Sequence, residues 1–314
     1  MKPETIVREI SFWILVLLLA PQLRLAAQDD AQGPPTYSPE GEKQPPTNSP
    51  EGENKPPLGE VGRGSMFNVQ CPKESSTMLG LSGVTQWDTY LSNERYHGGG
   101  LTILSQISRP THWMQRRLYV QHLTQGNLAT AKPRSDKHNT ISGFFHWQVA
   151  WQYHFLGVRS KEDGSKKWEL NAGAGIQTRL GFVYNTLGGN NPASARAAVN
   201  VIASAQARHH FGLWHKPCTA TLQADIPLTG LMFSPDYGQS YYEIFSLGHY
   251  SHNVQMVNPF RAFQTNMLLT LDCRLKARTA IRLGWQGQYM QSDVNGIKTQ
   301  DFYNNLIIGF VRYM

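Results

Sequence analysis

From about residue 76 to the end of the chain, apolar and polar side chains alternate with a period of two. Successive residues of a β-strand point to opposite faces, so the pattern predicts strands with one apolar face and one polar or small face. It is clearest at 168–184, where Trp168, Ile176, Leu180 and Phe182 alternate with Glu169, Asn171, Gln177 and Arg179. At 141–155, Phe145, Trp147, Val149 and Trp151 alternate with His146, Gln148 and Gln152. Residues 195–209, 218–228, 263–274 and 279–289 behave alike, with Val199, Leu222, Leu269 and Leu283 on their apolar faces. The last segment, 301–314, is ambiguous because Leu306, Ile307 and Ile308 are continuous, and 76–84, 100–108 and 113–124 are weaker. The total is about ten strands, an even number, several of them longer than the roughly 9–11 residues that cross a bilayer. Strands of soluble proteins average about 5–6 residues. The pattern therefore predicts an all-β fold, an antiparallel transmembrane β-barrel over 76–314 with its apolar face outward.

The connections fall into two sets. One lies near 85–99, 125–140, 185–195, 229–262 and 290–300, the other near 109–112, 157–167, 210–217 and 275–278. The first set is mostly longer, as the external loops of outer-membrane barrels are. That places the chain's end in the periplasm and the segment 229–262 outside the cell. Its rings, among them Tyr237, Tyr241, Tyr242, Phe245 and Tyr250, predict an ordered cap that narrows the barrel mouth, or an aromatic girdle at the outer interface.

Ahead of the barrel, Lys2 and Arg8 precede an apolar run from Ile10 to Ala20, broken by Pro21 and followed by Ala26 and Ala27. This has the form of an export signal over 1–27 and is too short to span comfortably as a helix. Residues 28–75 are rich in Pro, Glu and Gly, and the 11-residue unit at 34–44 recurs at 45–55. With little to bury, such a linker is expected to be disordered, either a spacer that meets a periplasmic protein or a dispensable tail.

Charged residues are 16% and aromatics 11% of the chain, and the net charge is +7. Mean hydropathy is −0.41, far below that of a membrane helix bundle. The basic residues form no dense tract, so nucleic acid is not an expected partner and outer-membrane lipid is. Of the three cysteines, Cys71, Cys218 and Cys273, no two have zinc-site spacing. Export permits a disulfide. Cys218 and Cys273 nevertheless read as packing residues on opposite faces of separate strands.

The inward positions hold the candidate chemistry. Arg179, Arg196, Arg208, Arg274 and Arg282 share the expected lumen with Glu169, Asp225 and Asp272. They read either as a pore lining for anionic solutes or as an ion-paired plug, and a barrel near eight strands is filled by side chains. In the segment His249-Tyr250-Ser251, an extended backbone would put His249 and Ser251 on one face, the arrangement of a lipid hydrolase in which imidazole takes the serine proton. The orienting residue expected some dozen positions on is Phe263, with Asn266 further along, and no acid is present. Gly188 to Pro192 read as a turn without a phosphate-binding lysine. No cofactor or metal motif is found, and nothing sets the oligomeric state.

Two passages, Tyr184 to Ala195 and Pro227 to Gly248, together resemble a family of uncharacterised outer-membrane proteins of the Bacteroidetes, known as a domain of unknown function. The resemblance spans about residues 75–314. It implies a barrel at the cell surface, and it carries no activity and no catalytic residues. The functional expectation is a non-enzymatic outer-membrane barrel, acting in solute passage, surface binding or envelope structure. The alternative is a phospholipase or lipid A deacylase using His249 and Ser251.

Overall fold

The computed structural model of the chain describes residues 73–114, 117–136, 138–159, 166–186, 192–213 and 216–314. The export signal, the linker up to Pro72, Cys71 and the Gly188–Asn191 part of the turn lie outside the described residues. The strands are β1 (Glu74–Asp88), β2 (Ser92–Pro110), β3 (Leu118–Pro133), β4 (Thr140–Arg159), β5 (Lys166–Asn185) and β6 (Ala193–Leu213). They continue with β7 (Lys216–Phe233), a short β8 (Val254–Val257), β9 (Ala262–Lys276), β10 (Thr279–Val294) and β11 (Ile297–Tyr313). One helical turn, α1 (Tyr241–Phe245), lies between β7 and β8.

All pairings are antiparallel, and each long strand pairs with its neighbours in sequence once β8 is set aside. β1 pairs with β11 from Glu74↔Tyr313 to Asp88↔Thr299, so ten long strands close on themselves. Closure pairs each of the ten on both sides, with a four-residue interruption above Asp225 of β7, and this is what lets strands stand in hydrocarbon. β8 alone lies outside the ring, against the end of β7.

Side-chain parity follows the alternation along the chain. Leu81 and Leu306 face each other in register and are each 69% exposed. Leu101, Leu128, Trp147, Leu180 and Leu283 are exposed around the same outer surface, while Gln148 and Arg282, one position away, are buried. In water such a continuous apolar belt would be far larger than a soluble protein shows. A polar interior inside an apolar shell is the inverse of a soluble barrel and the arrangement that a bilayer stabilises. The chain is thus a transmembrane β-barrel of the bacterial outer membrane.

The continuous run at the end resolves in the same terms: Leu306 and Ile308 point outward and Ile307 inward. A bulge opposite Val201/Ile202 shifts the phase of β7, so that Pro227 and Met232 are both buried while Leu228 and Leu231 are exposed.

Several expected loops are strand. The 85–99 connection shrinks to 89–91, because β2 begins at Ser92 and includes Gly98, Gly99 and Gly100. Gly98 and Gly100 sit where a Cβ would run into the backbone carbonyls of Thr130 and Leu128. The glycines mark close strand approach and not a turn. The 290–300 connection is a two-residue turn, Asn295-Gly296, with φ of 53° and 72° at the two residues. Both sit in the left-handed region that a type I′ hairpin turn requires. Only the 234–261 excursion between β7 and β9 is long, so the first set of connections is not generally the longer one.

The cysteines also correct the sequence reading. Cys218 and Cys273 are register partners on β7 and β9, with Cα atoms 4.3 Å apart, and form a disulfide. Their inward neighbours Thr221 and Asp272 are buried, so both sulfurs lie on the same, outward side of the wall. The single-strand view could not relate two strands 55 residues apart.

Candidate functional site

The interior is built in layers from the rim that carries the termini towards the opposite, capped rim. Each inward side chain is set by strand parity, and its height by register. At the terminal rim, Arg208 Nη2 donates to Glu74 Oε1 at 2.5 Å and its Nε to Gln206 Oε1 at 2.9 Å. Arg282 grips Asp272 with two parallel bonds of 2.6 and 2.7 Å, and its Nη1 donates to Gln106 Oε1 at 2.8 Å and Ser76 Oγ at 3.0 Å. Glu169 is held by Lys166 at 2.7 Å, with His210 Nε2 at 3.6 Å. Two parallel N–H···O bonds are the strongest geometry for a guanidinium and a carboxylate. Arg274 keeps inward parity but stands exposed at the rim, stacked 4.9 Å over the ring of Tyr313, so it does not line the interior.

Above this layer, Met78, Leu104, Leu123, Leu268 and Ile307 meet in an apolar cluster across the lumen. An amide network follows. Gln125 and Gln286 exchange bonds of 2.9 and 2.8 Å, and Gln286 is further bonded to Asn266 at 3.0 Å and Asn305 at 2.9 Å. Asp225, fully buried, accepts from Ser204 Oγ at 2.5 Å, Gln223 Nε2 at 3.0 Å and Asn266 Nδ2 at 3.4 Å. It has no ion pair among the described residues.

Nearer the cap, Arg196 pairs with Asp88 at 2.9 Å and Asp301 at 3.5 Å. Tyr303 receives a bond from Gln86 Nε2 at 2.8 Å and stacks edge-on against Phe144. Arg179 is different. Its guanidinium lies 4.6 Å over the Phe144 ring, its Nε has no partner, and no carboxylate stands within ion-pairing distance among the described residues. The structure thus brings Arg196, Arg208 and Arg282 into ion pairs, leaves Asp225 in a neutral hydrogen-bond shell and leaves Arg179 unpaired.

The 234–261 excursion is ordered at the capped rim. Ser240 and Glu243 form a reciprocal capping box at the start of α1, and Ile244 is buried beneath it. Tyr241 Oη accepts from the Ala195 amide at 2.6 Å, Tyr90 Oη donates to the Gln239 carbonyl at 2.8 Å, and Asn295 Nδ2 donates to the Ser234 carbonyl at 2.9 Å. Burial, with Tyr241 beside it, pushes the Tyr90 hydroxyl above the ordinary phenol range.

His249 and Ser251 lie exposed in this excursion. His249 to Ser251 lie in irregular backbone that runs into a turn, with φ of 69° at His252, and not in a strand. No described residue orients the His249 ring, whose backbone carbonyl is taken by Gln239 at 2.6 Å. The inward parity of Gln148, Gln152, Gln177 and Asn171 is legible in the sequence, whereas the amide network that joins Gln125, Gln286, Asn266 and Asn305 is not.

Among solved structures, the chain is similar to the outer membrane protease OmpT of Escherichia coli, at 7% identity over 80% of this chain and 99% of that one, with a TM-score of 0.41. It is also similar to the transport unit of the autotransporter AIDA-I of Escherichia coli, at 8% identity over 80% and 92% of the two chains, with a TM-score of 0.41. A third is the translocator domain of the autotransporter NalP of Neisseria meningitidis, at 9% identity over 77% and 88%, with a TM-score of 0.36. No curated protein matches the chain. Residues 66–314 match the family described as protein of unknown function, DUF3316, and the chain belongs to that family.

Proposed function

We propose that this protein is a non-enzymatic surface component of the outer membrane, sealed to diffusing solutes, that works as a binding or envelope-structural element from its capped rim. The observation that carries the reading is the filled interior. Ion pairs, the apolar cluster and the amide network succeed one another from rim to rim. In this reading Tyr303, Phe144 and the Arg196 ion pairs close the lumen below the cap, and the cap is not its constriction. What the excursion presents instead is exposed aromatic surface, with Tyr242, Phe245 and Tyr250 each 66–72% exposed. Rings fixed on an ordered loop suit stacking against sugars or partner side chains.

In this reading the termini are periplasmic and the cap is outside. The Pro-rich segment is a spacer towards a periplasmic partner. The passages at 184–195 and 227–248 are those of a Bacteroidetes family. A hydrolase is not favoured, given that His249 and Ser251 are exposed and not in a strand.

The test uses Tyr242→Cys in a Cys71→Ser background, exposed to a membrane-impermeant maleimide on intact cells. Labelling without breaking the outer membrane is expected. A glycan and lipid array should then give binding that is lost on deleting 234–256. Labelling only after lysis, or binding indifferent to the deletion, would overturn the reading.

A further inference from the structure

Among the described residues, the wall of the barrel has one interrupted seam. β7 pairs with β9 only from Cys218 to Asp225, the shortest ladder of the ring, and with β8 only from Gly230 to Phe233. Between them, Ile226–Thr229 of β7 and Ala262–Thr265 of β9 have no ladder partner across the seam; at the upper end the Thr229 hydroxyl donates to the Val257 carbonyl at 3.3 Å and the Ala262 amide to the Asn258 carbonyl at 2.8 Å. Four residues of strand are about 13 Å. Unpaired backbone groups facing hydrocarbon are costly, so a membrane barrel keeps such a gap only where something offsets it. Pro227 stands in the gap and brings no N–H to satisfy. The bulge in β7, which leaves Leu228 without a register partner on β6, falls in the same stretch. At the other end of the short ladder, the Cys218–Cys273 disulfide ties β7 to β9, so any parting of the two strands is confined to the stretch above Asp225.

Directly behind the gap is a small cavity. It is lined on the β7 side by Pro227 and on the β9 side by Gln264 and Thr265, and it is about 10 Å³. It shares Arg179, Gln264 and Met290 with a second cavity of about 20 Å³. Each holds roughly one water. Four side chains lining the first cavity carry polar atoms with no partner: both ring nitrogens of His146, Gln177 Oε1, Arg179 Nε and Gln264 Oε1. All four residues are at least nine-tenths buried, at 3%, 4%, 6% and 8% exposure. Elsewhere in the lumen Arg196, Arg208 and Arg282 form ion pairs; Arg179 forms none among the described residues, and Asp301, the carboxylate that acts on it at longer range, is already paired with Arg196. Outside the gap, Leu228, Leu231 and Phe263 present apolar surface to the bilayer.

We propose that β7 and β9 form a lateral gate through which a single-chain anionic amphiphile of the fatty-acid class enters from the bilayer, its headgroup bound by Arg179 beside His146, Gln177 and Gln264. The chemistry selects this class. An unpaired buried guanidinium calls for an anion, and rotatable amides and an unpartnered imidazole complete a hydrogen-bonded shell. Leu228, Leu231 and Phe263 make the outer face of this break apolar, so the rest of the ligand is an acyl chain lying along the seam. With no ladder bonds to break over these four residues, the strands can part locally while the closed barrel persists. This site lies below the cap and its test leaves the cap intact, so either reading can fail alone.

The experiment uses the full chain in phosphatidylcholine nanodiscs with a diazirine analogue of palmitic acid at low mole fraction, photolysed and mapped by peptide mass spectrometry. Adducts at 226–229 and 262–265 should exceed those on the apolar belt, such as 281–285, by about tenfold, the order expected of a charge-assisted bond. Unlabelled palmitate should displace them, and hexadecanol, which has the chain without the charge, should not. Arg179→Gln should remove the excess. If that variant fails to fold, the palmitate–hexadecanol comparison on the unchanged protein decides alone. Even labelling of all outward faces, displacement by hexadecanol as good as by palmitate, or an excess retained in folded Arg179→Gln would each overturn the proposal.

Discussion

Arg282→Met, alone and combined with Asp272→Leu, tests whether the interior is a set of specific matches. Arg282 and Asp272 are 3% and 4% exposed and joined by two short bonds, and Arg282 also serves Ser76 and Gln106. Removing the guanidinium alone strands a buried carboxylate, which costs about 3–5 kcal/mol. Replacing both charges by apolar groups of similar size is about neutral for the pair itself. What remains is the loss of donors to Ser76 and Gln106, about 1–3 kcal/mol. That loss is common to both variants, so the double variant should recover about 3–5 kcal/mol of what the single variant loses. Equilibrium urea unfolding in lipid vesicles, followed through tryptophan emission, measures both. A double variant no more stable than the single one would show that Asp272 is not left uncompensated, and the ion-paired plug would be wrong.

Other outcomes follow from the same structure. Leu283→Arg and Trp147→Arg, on the exposed apolar face, should each cost about 2–4 kcal/mol near mid-bilayer in the same unfolding assay. Contrary to simple parity, Gln148 should be no more tolerant of a large polar residue, because it is fully buried in a packed interior. Cys218→Ser with Cys273→Ser should lower stability by up to about 4 kcal/mol, the chain-entropy value for a loop closed over 55 residues, read in unfolding under oxidising conditions. In the cap, the Ser240 backbone amide, with the Ser240 hydroxyl, holds the Glu243 carboxyl below the usual range. A lowered carboxyl pKa contributes stability that is complete above the unfolded value and is lost as pH falls through the folded one. Hydrogen-exchange protection of the α1 amides should thus drop on acidification and lose that dependence in Glu243→Gln.

Parity was legible because it is local. Trp147 out and Gln148 in follow from alternation alone, and so did the ten strands and the placing of Arg196, Arg208 and Arg282 inside. What depends on register was not legible. The Cys218–Cys273 bond, the pairing of Arg282 with Asp272 and the isolation of Arg179 need the relative heights of strands far apart in sequence. The glycines of β2 misled because glycine signals a turn in one context and close strand approach in another. Asn295-Gly296 is a readable hairpin signal within 290–300, a stretch that is otherwise strand. The seam beside Pro227 could be suspected from a proline in an otherwise regular strand, but its gap appears only when β8 and β9 are seen to share one neighbour.

Conductance of the purified full-length barrel in a planar bilayer tests the central claim most directly, that the lumen is sealed beneath the cap. Ion pairs, the Met78–Leu104–Leu123 cluster and the amide network predict no stable steps, both for the intact chain and after removal of 234–256. Regular ohmic steps from the intact protein, or a pore that opens when the excursion is removed, would contradict it.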